Sequence, residues 1–144
     1  MRLARRLLLA LWAGLLVTVG GLVAPTLFAI LPDRGLAGFI AGELFRRTTL
    51  VSLVLAGALL VLACVPDAGG AALARRASGA RMLPPAAFLA LSEYAVRPLL
   101  EAARATGDAG SPAFAAWHGL AALLYSAATL WTVALLVAEL KGRG

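Results

Sequence analysis

Long uncharged apolar runs dominate the chain and alternate with short charged stretches. Three of these runs contain no Asp, Glu, Lys or Arg, and they cover residues 7–31, 48–66 and 110–138. A helix rises about 1.5 Å per residue, so about 20 residues cross a hydrocarbon core of about 30 Å. The first and last runs exceed this length and the second is close to it. The pattern therefore predicts three transmembrane helices.

A further segment, MLPPAAFLALSEYAVRPLLEAARA at residues 82–105, is apolar at its start and charged in its second half. Proline is tolerated in the first turn of a helix, so a helix beginning near Pro84 is expected. Its length fits another membrane span. The sequence thus predicts an all-α integral membrane four-helix bundle, formed by one domain over residues 1–144. The four spans are expected near residues 7–31, 48–66, 84–105 and 113–138.

Basic residues cluster at the ends of the spans and predict the orientation of the chain. Arg2, Arg5, Arg6, Arg75, Arg76, Arg81, Lys141 and Arg143 fall on one side, and Arg34, Arg46, Arg47 and Arg104 on the other. Cytoplasmic loops carry the excess of Lys and Arg, so both termini are expected in the cytoplasm. We expect the membrane to be the inner membrane of a bacterium.

Two stripes with helical spacing run between spans one and two, on the expected outer side. Leucine or isoleucine recurs every four residues, and glycine recurs after three and then four. These positions are Leu36, Ile40 and Leu44, with Gly35, Gly38 and Gly42. The stripes predict a short helix over residues 35–45 that lies at the membrane interface or against the bundle, with a small-residue face for close backbone approach. A glycine-rich loop is the alternative, because each glycine disfavours a helix by about 1 kcal/mol.

Composition supports a membrane protein. Hydrophobic residues make up 62% of the chain and charged residues 14%, with a mean hydropathy of +0.91. The net charge of +6 does not indicate a nucleic-acid partner, because the basic residues sit between apolar runs rather than on one face of a soluble fold. The lipid bilayer is therefore the expected partner.

The third span carries three ionisable residues at helical spacing. Glu93, Arg97 and Glu101 recur every four residues and share one face. Ionisable groups within a membrane are costly, so they suggest a function. One hypothesis is a polar lining of an outward-facing cavity that binds or passes a small solute. The other is a structural ladder of ion pairs that holds the span in the bundle.

Two prolines and one histidine fall at a similar depth in the outer third of the membrane. Pro25 and Pro98 each remove a backbone donor and are expected to kink spans one and three. His118 lies near the outer end of span four and is a further candidate for the lining of the polar cavity. Broken helices beside polar residues form the sites of many transporters, although prolines also occur in membrane helices without such a role.

Cofactor chemistry has little support in the residue inventory. The chain has one cysteine, Cys64, and one histidine, His118, whereas a metal site needs several matched ligands. A haem held by two histidines would need two copies of the chain. We therefore expect no metal, no cofactor and no catalytic residues, and we keep a haem- or metal-handling redox protein that uses His118 as an alternative.

Three sequence stretches resemble a known family. GLVAPTLFAILPDRGLAGFIAGELF (residues 21–45) is followed later by RPLLEAAR (97–104) and FAAWHGLAALLYSAATLW (114–131). Together they are similar to the transmembrane-protein-205-like family, domain of unknown function 4149, which often has serine where this chain has Ala121. The resemblance implies a four-helix membrane protein and brings no catalytic residues.

The sequence leaves the molecular activity open. The leading hypothesis is a small, non-enzymatic multi-pass membrane protein that binds or passes a small solute. Four spans are few for a solitary transporter, so a homo-oligomer or a membrane partner protein is expected. A structural subunit of a membrane complex is the further alternative.

Overall fold

A computed structural model of the chain describes residues 2–65, 79–105 and 111–142. Within these ranges the chain forms four helices and no strands. Helix α1 covers residues 2–30, α2 is Arg34–Cys64, α3 covers residues 83–105, and α4 is Pro112–Leu140. The prediction of an all-α membrane bundle is confirmed. Arg75, Arg76 and Arg143, which contributed to the predicted orientation, lie outside the described residues.

Three of the helices are long and apolar enough to cross a membrane: Leu3–Ile30, Arg34–Cys64 and Pro112–Leu140. Helix α3 is about 34 Å long at about 1.5 Å per residue, which also suits a span. Because its second half carries charged residues, α3 is less apolar than these three helices. The crossing of the membrane by α3 therefore stays a prediction.

The prediction of a separate short helix over residues 35–45 is wrong. These residues are helical, but they form the first part of the continuous 31-residue helix α2. The Asp33 side chain caps its start by accepting hydrogen bonds from Gly35 N and Leu36 N. Nothing between residues 45 and 48 breaks the helix, because neither glycine nor proline occurs there. At about 46 Å, α2 is longer than a hydrocarbon core, so one end extends beyond it.

The four helices form a ring in which each packs against the next and α4 returns to α1. The start of α1 meets the end of α4, where Arg5 Nε lies 3.3 Å from Glu139 Oε2. Both described termini therefore lie at one end of the bundle. The core between the helices is apolar and includes Leu9, Trp12, Leu16, Leu55, Ala56, Leu59, Met82, Leu89 and Ala128.

Large apolar side chains also cover the outside of the bundle. Ile30, Val54, Leu123 and Leu130 are each about 70% exposed. So much outward apolar surface would be unfavourable in water, and it matches a bundle whose solvent is lipid.

Both prolines follow a turn of π-helix. The turns are Val19–Val23 in α1 and Ser92–Val96 in α3, and each ends two residues before a proline, Pro25 or Pro98. The residue in between donates its N–H to the carbonyl five residues back, Ala24 to Val19 and Arg97 to Ser92. The expected disturbance at each proline thus includes a widened turn just before it.

The first π turn receives the ring of Tyr125 from α4. The Tyr125 hydroxyl donates a 2.9 Å hydrogen bond to Leu16 O, and its ring makes an edge contact with Phe45 at 4.7 Å. A Cβ atom at Gly20 would lie 2.7 Å from Tyr125 Cε1. Gly20 therefore provides the space that lets α1 and α4 approach through this tyrosine.

Gly20→Ala is expected to lower the free energy of unfolding by about 1–3 kcal/mol, the usual cost of overpacking. The added methyl group displaces a ring that a hydrogen bond and Phe45 both hold. Gly14→Ala is the matched control, because nothing lies within 4 Å of a Cβ there and alanine favours a helix. Thermal unfolding in detergent measures both; equal stability of the two variants would contradict this packing.

Candidate functional site

Arg97 in α3 is the centre of an ion-pair network that joins α3 to α2. Its Nε donates to Glu101 Oε1 at 2.7 Å, and its Nη1 donates to Glu93 Oε1 at 3.3 Å. Its Nη2 lies 3.9 Å from Glu43 Oε2 on α2. One guanidinium therefore faces three carboxylates, two on its own helix and one on the neighbouring helix.

Glu43 and Glu93 extend the network on the α2 side. Glu43 Oε1 accepts a 2.9 Å hydrogen bond from Arg47 Nε, and its Oε2 lies 3.8 Å from Arg46 Nη1. Arg46 Nε also lies 3.6 Å from Glu93 Oε1. We call Glu43, Arg46, Arg47, Glu93, Arg97 and Glu101 the ion-pair network. Its three carboxylates and three guanidiniums sum to no formal charge.

The network runs from a buried inner part to an exposed outer part. The Glu93 side chain is 12% exposed and Arg97 is 26% exposed, whereas Arg47 is 74% exposed. Glu93 belongs to the second π turn, and Arg97 is the first residue after it. The distorted turn therefore presents the least exposed carboxylate of the network to Arg46 of α2.

The structure brings together three of the predicted site residues, Glu93, Arg97 and Glu101, and leaves His118 apart from them. His118 is exposed on α4, where its ring stacks on Phe114 at 6.0 Å with an interplanar angle of 10°. Across residues 2–65, 79–105 and 111–142, no group of three His, Cys, Asp or Glu side chains is placed to hold a metal ion. The alternative of a haem or metal site at His118 stays a prediction.

The glycine face of α2 receives an arginine side chain. Cβ atoms at Gly38 and Gly42 would each lie 3.9 Å from a terminal nitrogen of Arg104, and one at Gly35 would lie 3.1 Å from Asp33 Oδ1. Arg104 also lies over the Phe114 ring, with its Cζ 5.5 Å from the centroid. The face expected to meet another backbone therefore accommodates a guanidinium at two of its three positions.

Sequence reasoning missed Glu43 as a member of the site. The signal was local, because Glu43 precedes Arg46 and Arg47 by three and four residues, a spacing that pairs charges on a helix. The sequence places these residues on the outer side of the membrane, where charged residues are common. The pairing with α3 depends on the packing of two helices and leaves no mark in the sequence.

A second polar cluster lies at the opposite end of the bundle. Glu139 near the end of α4 is 8% exposed and pairs with Arg5, while Arg6 Nη2 donates to Glu139 O at 3.3 Å. From the sequence alone, Arg5 and Arg6 are basic residues that flank a span. The structure shows that they also tie the start of α1 to the end of α4.

A family model described as "Domain of unknown function (DUF4149)" matches residues 7–109. No curated protein matches the chain, and no solved structure does. The match covers more than half of the chain, including most of α1, all of α2 and α3, and the ion-pair network. The chain belongs to the DUF4149 family.

Proposed function

We propose that this DUF4149 protein is a non-enzymatic multi-pass membrane protein of the transmembrane-protein-205-like type, which binds or passes a small zwitterionic solute between α2 and α3. The observation that supports this proposal is that the two ion pairs between α2 and α3 are long. Arg46 to Glu93 measures 3.6 Å and Arg97 to Glu43 measures 3.9 Å. The two shortest pairs of the network, at 2.7 and 2.9 Å, each lie within one helix.

Long bridging pairs favour exchange with a bound solute. A Coulomb interaction weakens with distance, and neither bridging pair meets hydrogen-bond geometry. The short pairs within each helix keep Arg97 and Glu43 oriented while the bridging contacts are replaced. A solute that enters between the helices therefore meets preoriented charges of both signs.

The charge balance of the network favours a zwitterion. Its formal charge is zero, so a solute with a single charge would leave an excess charge beside the apolar bundle, which is costly. A carboxylate facing Arg46 and an ammonium group facing Glu93 would enter this bridging pair and keep every charge compensated. The π turn that holds Glu93 supports the proposal, because such turns are frequent at functional sites.

A purely structural role is the rival proposal. Every member of the network has a partner, so the same contacts would also fasten α3 within a subunit of a membrane complex. Under this rival, replacing Glu93 and Arg97 together by leucine would leave a stable, working protein, because apolar replacement of a paired set is often neutral. Under the solute-binding proposal, that variant loses solute binding even if it folds.

Thermal unfolding of the purified protein with three matched solutes tests the proposal. Glycine carries both charges, acetate only the negative charge and methylammonium only the positive charge. A solute at ten times its Kd stabilises the folded state by about 1.4 kcal/mol. We expect glycine to raise the unfolding temperature, and we expect the two singly charged solutes to have a smaller effect at equal ionic strength.

Two isosteric variants locate the effect in the network. Glu93→Gln removes the carboxylate that bridges α2 and α3, and it is expected to abolish the response to glycine. Asp33→Asn is the control, because Asp33 is an exposed carboxylate outside the ion-pair network and asparagine can still cap α2. A response that persists in Glu93→Gln, or no response of the unmodified protein to glycine, would overturn the proposal.

We further propose that the protein resides in the inner membrane of a bacterium with both termini in the cytoplasm, and that it acts as a homo-oligomer or with a membrane partner. The outer face of α4 is well exposed, with Leu123 and Leu130 near 70%. Such a face suits contact with lipid or with another membrane helix. Cross-linking in the membrane distinguishes these occupants.

A further inference from the structure

Arg104 of α3 packs against two other helices and is nevertheless exposed. Its terminal nitrogens lie against Gly42 and Gly38 of α2, and its guanidinium lies over Phe114 of α4. A side chain larger than alanine at Gly38 or Gly42 would occupy the space that the guanidinium fills. The guanidinium thus packs against the glycine face of α2 and the Phe114 ring of α4.

The charge of Arg104 is uncompensated in the part of the chain that the structure describes. Arg46, Arg47 and Arg97 each lie within 4 Å of an acidic side chain, whereas Arg104 makes no such pair. Glu101, three residues earlier, is paired with Arg97 instead. Arg104 therefore keeps its charge and its hydrogen-bond donors available at this end of the bundle.

Apolar side chains surround the position. Phe28 of α1 approaches the same place, since a Cβ at Gly38 would lie 3.9 Å from both Phe28 Cζ and an Arg104 nitrogen. Phe28 is 47% exposed, and Phe39, the residue after Gly38, is 67% exposed. A cation beside exposed aromatic rings, at the end of a lipid-facing bundle, matches the boundary between headgroups and acyl chains.

We propose that Arg104 binds a phosphate group, and that the ligand is the phosphodiester of a phospholipid in the leaflet at this end of the bundle. A guanidinium presents a planar fork of donors that fits phosphate oxygens, and no carboxylate among the described residues is paired with this one. The contacts with α2 and Phe114 restrict the guanidinium and so reduce the side-chain entropy that binding costs. The exposed phenylalanines would contact the acyl chains. This site uses no member of the ion-pair network.

Native mass spectrometry of the detergent-purified full chain tests the proposal with phosphatidylglycerol as the probe. Two control ligands separate the parts of this lipid. Diacylglycerol has the acyl chains but lacks the phosphate, and inorganic phosphate has the phosphate but lacks the acyl chains. Arg104→Gln is expected to raise the Kd for phosphatidylglycerol about tenfold, in line with loss of a hydrogen bond to a charged group. Arg104→Lys keeps the charge but not the planar fork of donors. Its Kd for phosphatidylglycerol is expected to lie between those of the unmodified protein and Arg104→Gln.

Arg34→Gln is the control variant, because Arg34 is an exposed arginine at the same end of the bundle, at the first position of α2. It should bind phosphatidylglycerol like the unmodified protein. Equal binding of phosphatidylglycerol by Arg104→Gln and the unmodified protein overturns the proposal. The proposal is also overturned if Arg34→Gln loses as much affinity as Arg104→Gln, because that would show unspecific attraction of the lipid to positive charge. Arg104-dependent binding of inorganic phosphate at concentrations that displace the lipid would overturn the lipid assignment. Unchanged unfolding temperatures show that the variants are folded.

Discussion

Arg97→Leu is expected to destabilise the protein more than any other single substitution in the ion-pair network. The change removes the one cation that faces Glu43, Glu93 and Glu101 together. Removing one partner of a buried ion pair costs about 3–5 kcal/mol, and the partial exposure of Arg97 places the expected loss at about 2–4 kcal/mol. Unfolding in detergent, followed by circular dichroism, measures this loss.

Arg47→Leu is the matched control for that measurement. Arg47 belongs to the same network, but it is 74% exposed, and among the described residues it pairs only with Glu43 of its own helix. Exposed pairs of this kind contribute at most about 1 kcal/mol. If both variants lost the same stability, Arg97 would not be the centre of the network.

Glu139→Ala is expected to have the second largest effect, at the other end of the bundle. Glu139 is 8% exposed, and its carboxylate is the acidic partner of Arg5. Its removal leaves a largely buried guanidinium uncompensated where α1 meets α4, and the expected loss is about 2–3 kcal/mol, below the value for a fully buried pair.

Lys141→Ala provides the comparison for Glu139→Ala. Lys141 lies two residues later, is exposed, and forms no ion pair with the described residues. A surface substitution of this kind changes stability by about 0.5 kcal/mol or less. The same unfolding assay applies; a Glu139→Ala protein as stable as the Lys141→Ala protein would show that the Arg5 contact contributes nothing.

The helices of the fold were predictable because their signals are local. Uncharged runs mark α1, α2 and α4, and the spacing of Glu93, Arg97 and Glu101 gives the ladder along α3. Each of these features depends only on the order of residues within one helix. The same locality explains the error in α2, because the charged residues near Arg46 resemble the end of a span although helical hydrogen bonding continues through them.

The inter-helix contacts of the site were not predictable from one sequence. Glu43 reaches Arg97 only because α2 and α3 pack side by side, and Arg104 reaches Gly38 and Gly42 for the same reason. The prolines indicated a disturbance in α1 and α3 but not its form. A π turn depends on how the hydrogen-bond register shifts ahead of the proline, which packing decides.

Helix α3 must cross the bilayer if the ion-pair network is to lie within the membrane bundle. Labelling single cysteines with a membrane-impermeant maleimide in intact cells tests this most directly. Pro32→Cys and Asp108→Cys would be made in a Cys64→Ser background, which removes the one native cysteine. If α3 crosses, both positions are labelled from the same side of the membrane. Labelling of the two positions from opposite sides would show that α3 does not cross and would contradict an intramembrane site at Glu93 and Arg97.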